Sequence, residues 1–260
     1  MHSILRGVSI QRNRGVVILT DVLVVGLGEI GSALLEIVKG VYYAVGYDIC
    51  LDGLELPVKV TVMHICFPYS EHFVRYVVDY AEKVDPDLLL IESTVLPGTT
   101  LQVSEKVRAH VVHSPVRARK ASGFKWGFYN YTKFIGPVDK EGASLAEDYY
   151  KSLGFKTKVC AGPAETEFAK LLDVSYFGVM LGWNQEMRRL AKLHNLNFDD
   201  LANFLETNTV ESCQRFPRPV YDGQPIGGHC IIPGIQLLQQ KFKSRFLESV
   251  LESNERRQKE

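Results

Sequence analysis

The chain has no charge excess: 30 lysines and arginines balance 30 aspartates and glutamates over 260 residues. It therefore carries no electrostatic footprint for nucleic acid or for an acidic membrane surface. No apolar run reaches the ~18 residues of a membrane-spanning helix. The five cysteines, Cys50, Cys66, Cys160, Cys213 and Cys230, are scattered, odd in number and free of any CxxC pair. That pattern excludes a disulfide framework and a cysteine-built metal site, and it fits free thiols in a reducing cytoplasm. There is no internal repeat and no low-complexity segment. Residues 1–20 hold short, interrupted apolar stretches and read as an N-terminal extension rather than a secretory signal.

From Asp21 the pattern becomes regular. "VLVVGLGEIGSALLEIVKG" reads as a short apolar strand, a glycine turn and a helix closed at Gly40. Further apolar runs, "VYYAVGYDI", "KVTVMHICFPY", "LLLIEST" and "AHVVHSPV", alternate with helical segments. "YTKFIGPV", a helix and "FKTKVCAG" complete one more strand–helix–strand unit. Wholly apolar strands alternating with helices predict a parallel sheet covered on both faces, an α/β fold. After Gly162 the character changes. Pro163 can open a helix, and no strong breaker follows until Asn195, so one long helix is expected, followed by more helix from Asp199 and a final amphipathic helix in the tail. The expected organisation is a Rossmann-type doubly wound parallel sheet over residues 21–162, followed by a smaller all-helical domain with a long helix over 163–260.

Gly26, Gly28 and Gly31 form G-x-G-x-x-G between a strand and a helix. In that context the first glycine makes the tight turn, the second lets a pyrophosphate approach the backbone, and the third permits close helix–strand packing. Glu29 and Ile30 lie at the helix N-terminus, whose amides face the phosphates. Asp48 ends the second strand, where an acid accepts hydrogen bonds from a ribose and repels a 2′-phosphate, so NAD is expected as cofactor over NADP. The alternative is a strand–helix packing turn that binds nothing.

Four further stretches follow in order: "ESTVLPGTT" (Glu92–Thr100), "HSPVRARK" (His113–Lys120), "ETEFAKLL" (Glu165–Leu172) and "GGHC" (Gly227–Cys230). In order and approximate spacing the chain resembles the UDP-glucose/GDP-mannose dehydrogenase family from about Asp21 to Pro233. The resemblance implies oxidation of a sugar-nucleotide or sugar-phosphate alcohol with NAD, going on to the acid through a thioester on Cys230. Lys170 would be the cation beside the developing alkoxide, and Thr94 would position a catalytic water and lie beside the cofactor. Arg117, Arg119, Gly227, Gly228 and His229 are the expected substrate contacts. Glu167 also fits the family pattern. No resident metal is expected, and a homodimer through the long helix is.

Three positions depart from the family pattern. Val116 stands where a glutamate commonly follows the proline, Val174 where an asparagine follows the lysine, and Gly234 where an aspartate follows the cysteine. The family's third, nucleotide-gripping domain would begin where this chain ends, which leaves the nucleotide part of the substrate open. Two other readings stay beside the first: an NAD-binding protein that is inactive or completed by a partner, and a single-step β-hydroxyacid-type dehydrogenase in which Cys230 is a spectator.

Overall fold

The computed structural model describes residues 20–51, 55–118, 123–212 and 219–260. The expectation of an N-terminal extension therefore lies almost wholly outside the described residues, as do the expected contact Arg119 and the neighbouring Lys120.

Seven strands form one sheet: β1 (Thr20–Val25), β2 (Ala44–Tyr47), β3 (Val60–Ile65), β4 (Leu88–Ile91), β5 (His110–His113), β6 (Lys133–Pro137) and β7 (Thr157–Val159). Their order is β2-β1-β3-β4-β5-β6-β7. The helices interleaved with them are α1 (Glu29–Lys39), α2 (Phe73–Val84), α3 (Thr99–Ser104), α4 (Phe124–Asn130) and α5 (Lys140–Ser152). The expected doubly wound sheet is thus present, with one correction. β6 pairs antiparallel to β5, while the other pairs are parallel. Only the short α4 lies between those two strands, and it does not carry the chain back across the sheet as a crossover helix does.

Strand side chains alternate between two cores, as the period of two requires. Leu88 and Leu90 face one core together with Leu34, Ile37 and Val38 of α1 and Ala146, Tyr149 and Tyr150 of α5. Leu89 and Ile91 face the other with Phe73, Val77, Ala81 and Val84 of α2 and Val103 of α3. Burial on both faces explains why the strands read as unbroken apolar runs.

Beyond the sheet come α6 (Pro163–Leu193), α7 (Phe198–Glu211), α8 (Ile231–Lys241) and α9 (Arg245–Lys259). α6 runs unbroken through Gly178 and Gly182. These glycines are notches rather than breaks: a Cβ on Gly178 would lie 2.6 Å from Ile235, and one on Gly182 would lie 3.5 Å from Val250. α8 and α9 therefore pack close against the long helix, around Ile226, Ile235 and Val250. The tail is two helices, not the single one expected. Ser244 caps α9 by accepting a hydrogen bond from the Leu247 amide, so the chain turns between Phe242 and Ser244. Among the described residues no helix is long and apolar enough to cross a membrane.

Candidate functional site

The parallel strands β1, β3, β4 and β5 end along one edge of the sheet, and the segments that leave that edge carry the motifs. The order β2-β1-β3 reverses direction around β1, which makes the crevice beside the first glycine turn the natural ligand site of such a sheet. Gly26 has φ +91°, and a Cβ there would come within 2.7 Å of the Phe67 amide nitrogen. A Cβ on Gly31 would lie 1.8 Å from the Gly26 carbonyl oxygen, so that helix–strand approach admits no side chain. Gly28 meets nothing within 4 Å, which leaves its backbone open to a ligand. Glu29 begins α1, and Ile30 packs against the core beneath the turn.

Asp48 braces this turn from the end of β2. Its carboxylate accepts the Leu27 amide at 2.7 Å and the Cys50 amide at 2.9 Å. Hydrogen bonds from the Cys50 and Leu27 amides hold its pKa below the ordinary aspartate value. The acid is only partly covered, and each oxygen keeps a lone pair for a further donor. An open middle glycine, a closed third glycine and an ionised, half-exposed acid fit an NAD molecule at this turn.

The next segment along the edge leaves β4. Thr94 is half-buried just past the strand end, and the neighbouring Ser93 hydroxyl donates to the carbonyls of Ile65 and Phe67 (3.2 and 2.6 Å), tying this segment to β3. Below lies a polar network that sequence reasoning missed. The Glu92 carboxylate is buried, ion-paired with Lys133, and accepts from Nδ1 of His64 (2.9 Å) and from the Tyr150 hydroxyl (2.8 Å). Nε2 of His64 meets the Tyr149 hydroxyl at 2.8 Å. Burial alone would raise the Glu92 pKa, but Lys133 and His64 overcome it and hold it at about 2. Lys133 also donates to the Ser114 carbonyl, so one buried ion pair joins the segments after β4 and β5. Such a network is stable only when each member is satisfied.

His113 fastens the same two segments. Its Nε2 donates to the Ser93 carbonyl (3.1 Å), and its Nδ1 accepts from the Thr166 hydroxyl of α6 (2.8 Å). Burial holds its pKa down at about 4, so the ring is neutral at physiological pH.

α6 delivers Lys170 to this edge. The Lys170 ammonium donates to the Val116 carbonyl at 3.0 Å. Its pKa lies below the ordinary lysine value, first because it is buried and then because Arg117 and Lys133 add like charge. Cys230 and Asp173 act in the opposite sense. Arg117 stacks over the rings of Tyr131 (5.3 Å) and Phe134 (5.5 Å), half-buried beside Lys170. Glu167 does not reach toward Cys230. Its carboxylate accepts the Gly98 amide (2.7 Å), the Thr100 amide (2.9 Å) and the Thr100 hydroxyl (2.6 Å), pinning the "PGTT" turn to α6.

Cys230 is the N-cap residue of α8 and is exposed, as are Gly227, Gly228 and His229. Gly228 has φ +82°, and neither glycine's Cβ would meet an atom within 4 Å, so the loop presents bare backbone to solvent. The segment before it is held firmly. The Tyr221 amide donates to Asn184 (2.9 Å), the Ile226 amide to Asn254 (2.7 Å), and Gln185 donates to the Gln224 carbonyl (3.0 Å). Two of the three departures from the family pattern prove to be one contact: a Cβ on Gly234 would lie 2.6 Å from Cγ2 of Val174. The third, Val116, contributes its carbonyl to Lys170 instead of a side chain.

No family model matches the chain. The UDP-N-acetyl-D-mannosamine dehydrogenase of Pyrococcus horikoshii is 29% identical over 191 residues, which cover 68% of this chain and 43% of that protein. The solved structure of the P. horikoshii UDP-D-ManNAc dehydrogenase superposes with a TM-score of 0.75 at 23% identity, covering 91% of this chain and 68% of the other. The 3-hydroxyisobutyrate dehydrogenase of Mycobacterium tuberculosis superposes with a TM-score of 0.67 at 16% identity, covering 93% and 94%. The chain therefore resembles UDP-sugar dehydrogenases in sequence and shares the Rossmann dehydrogenase fold. It spans about half the length, or less, of the curated relatives it matches.

Proposed function

We propose that the chain is an NAD-dependent dehydrogenase of UDP-sugar type, oxidising the primary alcohol of a sugar nucleotide to the acid in two steps. The observation that supports this most is the seating of α8, whose N-cap is Cys230, on α6 one turn beyond Lys170, where a Cβ on Gly234 would lie 2.6 Å from Val174. Residues 21–162 serve in this reading as the cofactor-binding unit, and 163–260 complete the substrate site and the dimer contact. Gly26, Gly28, Glu29, Ile30, Gly31 and Asp48 hold the cofactor, with Thr94 beside it.

NAD held at the glycine turn would supply the hydride acceptor for both oxidations. Lys170 faces the substrate oxygen, where a buried cation offsets the charge that develops as the hydroxyl proton passes to water and the first hydride departs, leaving the aldehyde. The Cys230 thiolate then adds to the aldehyde carbon to give a thiohemiacetal. Loss of the second hydride leaves a thioester on the sulfur, and a water oriented by Thr94 cleaves it to the acid and the free thiol. Gly227, Gly228 and His229 let the sugar approach the backbone, and Arg117 meets its negative groups, with Arg119 the further contact expected from the sequence.

The test is the stoichiometry with UDP-N-acetyl-D-mannosamine and UDP-glucose. Two NADH per substrate and a thioester trapped on Cys230 are expected. One NADH, with full activity in Cys230→Ala, would overturn the two-step reading.

The working unit in this reading is a cytoplasmic homodimer. On α6, Leu172, Tyr176, Trp183 and Leu190 are exposed at spacings that keep them on one face, a stripe suited to a second copy. Sedimentation of the purified chain at micromolar concentration checks it, and a monomer would refute it.

A further inference from the structure

The C-terminal half of α6, the start of α7 and the end of α9 enclose a cleft of about 910 Å³. It adjoins the exposed stripe of α6, with which it shares Leu190. Five cations, Arg188, Arg189, Lys192, Arg256 and Arg257, line it against two carboxylates, Glu186 and Glu260. Both acids are already engaged. Glu186 pairs with Arg189 at 2.7 Å, and Glu260 pairs with Arg189 at 3.0 Å and Arg257 at 3.1 Å. Subtracting the two acids from the five cations leaves a surplus of three positive charges. Among the described residues the side chains of Arg188, Lys192 and Arg256 make no hydrogen bond or ion pair.

Arg188 is the most telling of these. Its guanidinium is stacked 4.1 Å over the Phe198 ring, which fixes its plane, and its Nε is buried with no acceptor. That buried donor is costly and lies against Gly223, whereas the two terminal nitrogens of Arg188 make no hydrogen bond among the described residues and are the ones an oxyanion in the cleft would meet. A single carboxylate carries one charge and matches the surplus poorly. A pyrophosphate group carries two to three and presents several oxygens to a guanidinium fork. Leu193, Leu196 and the Phe198 ring add an apolar wall on which a base could rest.

We propose that this cleft is a phosphoanion site, for pyrophosphate or a nucleoside diphosphate, separate from the glycine turn and coupled to the Cys230 loop. The coupling is carried by residues shared between the cleft and the loop's tether. Arg257 donates through Nε to the Gly223 carbonyl at 2.7 Å. Gly223 has φ +70° and packs so closely that a Cβ would lie 3.1 Å from Nε of Arg188. Gln185 and Asn254, from the same turns of α6 and α9, hold Gln224 and Ile226. An anion that draws Arg188 and Arg257 together stiffens residues 223–226, and with them the approach to Gly227–Cys230.

The inference does not depend on the activity proposed above and is tested by binding alone. The full chain is titrated calorimetrically with inorganic pyrophosphate and with ADP at fixed ionic strength, beside the double variant Lys192→Ala/Arg256→Ala, whose exposed side chains support no packing. A saturable component weakened about tenfold or more in the variant is expected, the loss of one or two charge-assisted contacts. A component unchanged by the double substitution belongs to the glycine turn. If that is the only one, the site does not exist. Hydrogen exchange over residues 219–226 is expected to slow with pyrophosphate in the parent and not in the variant. Exchange that is unaltered in the parent would overturn the coupling.

Discussion

The segment after β4 and the loop before α8 both carry residues expected to do chemistry, yet they are built in opposite ways. Beneath Thr94 the support is dense and dry: Glu92, His64, Lys133, Tyr150 and His113 are buried and bonded to one another or to backbone. Around Cys230 the backbone is bare, glycine-rich and open to solvent, and its restraint begins only at Ile226. The difference separates two tasks. Groups that must keep their place against a flat cofactor are set on interlocked strand ends. The residue proposed to reach a substrate carbon caps α8 at the end of an exposed loop whose other end is held at Ile226.

Substitutions at the two regions should therefore fail differently. Cys230→Ala is expected to lower formation of the acid on the order of 10³-fold or more while thermal unfolding stays at the parent temperature. Coupled loss of activity and stability there would erase the contrast. Lys133→Met strands the buried Glu92 carboxylate, so the chain should lose about 3–5 kcal/mol, read from urea unfolding. Replacing Glu92 as well, by Gln, should restore part of that loss.

Acid should attack the same region before the loop. Glu92 is held at about 2 against an ordinary 4.5, so the stability it lends is present above pH 4.5 and drains away as pH falls toward 2. His113, held at about 4 against 6.5, works in the same direction: its contribution is complete above 6.5 and is lost between 6.5 and 4, as the unfolded chain takes up the proton first. Unfolding midpoints measured from pH 7 to pH 2 should fall, and a His113→Gln variant should flatten the decline between pH 6.5 and 4. A midpoint independent of pH would show that the two groups are not buried as described.

A finer test concerns the contact between Val174 and Gly234. Gly234→Ala should destabilise the packing of α8 on α6, and Val174→Ala should relieve part of that cost. A double-mutant cycle is expected to give a coupling of about 0.5–3 kcal/mol. Additive effects would deny the contact. At the glycine turn, Gly28→Ala should weaken cofactor binding with little change in stability, because its Cβ would point into open space, whereas Gly31→Ala should damage the fold itself.

What could be read in advance follows from which demands leave a residue no alternative. Gly26 and Gly31 were legible because close backbone approach excludes every other side chain, and α6 because Pro163 marks its start. Lys133 and His64 were not. A single polar residue in a short apolar run reads as a strand end or an exposed face, and only the tertiary fold brings it to Glu92. The antiparallel entry of β6 was hidden because an apolar strand carries no sign of its direction. The break between α8 and α9 was hidden because the amphipathic spacing runs across it. Ser244, three positions before Leu247, was the available signal, lost among the basic residues around it.

One feature of α8 has a mechanical consequence. Its first turn follows Cys230, and its last residue, Lys241, donates to the Pro97 carbonyl in the turn that Glu167 grips from α6. Eleven helical residues make a rod roughly 16 Å long. Tied at the far end to the turn just beyond Thr94 and seated on α6 at Gly178, that rod sets the distance between the Pro97 turn and the residue that caps its other end, Cys230.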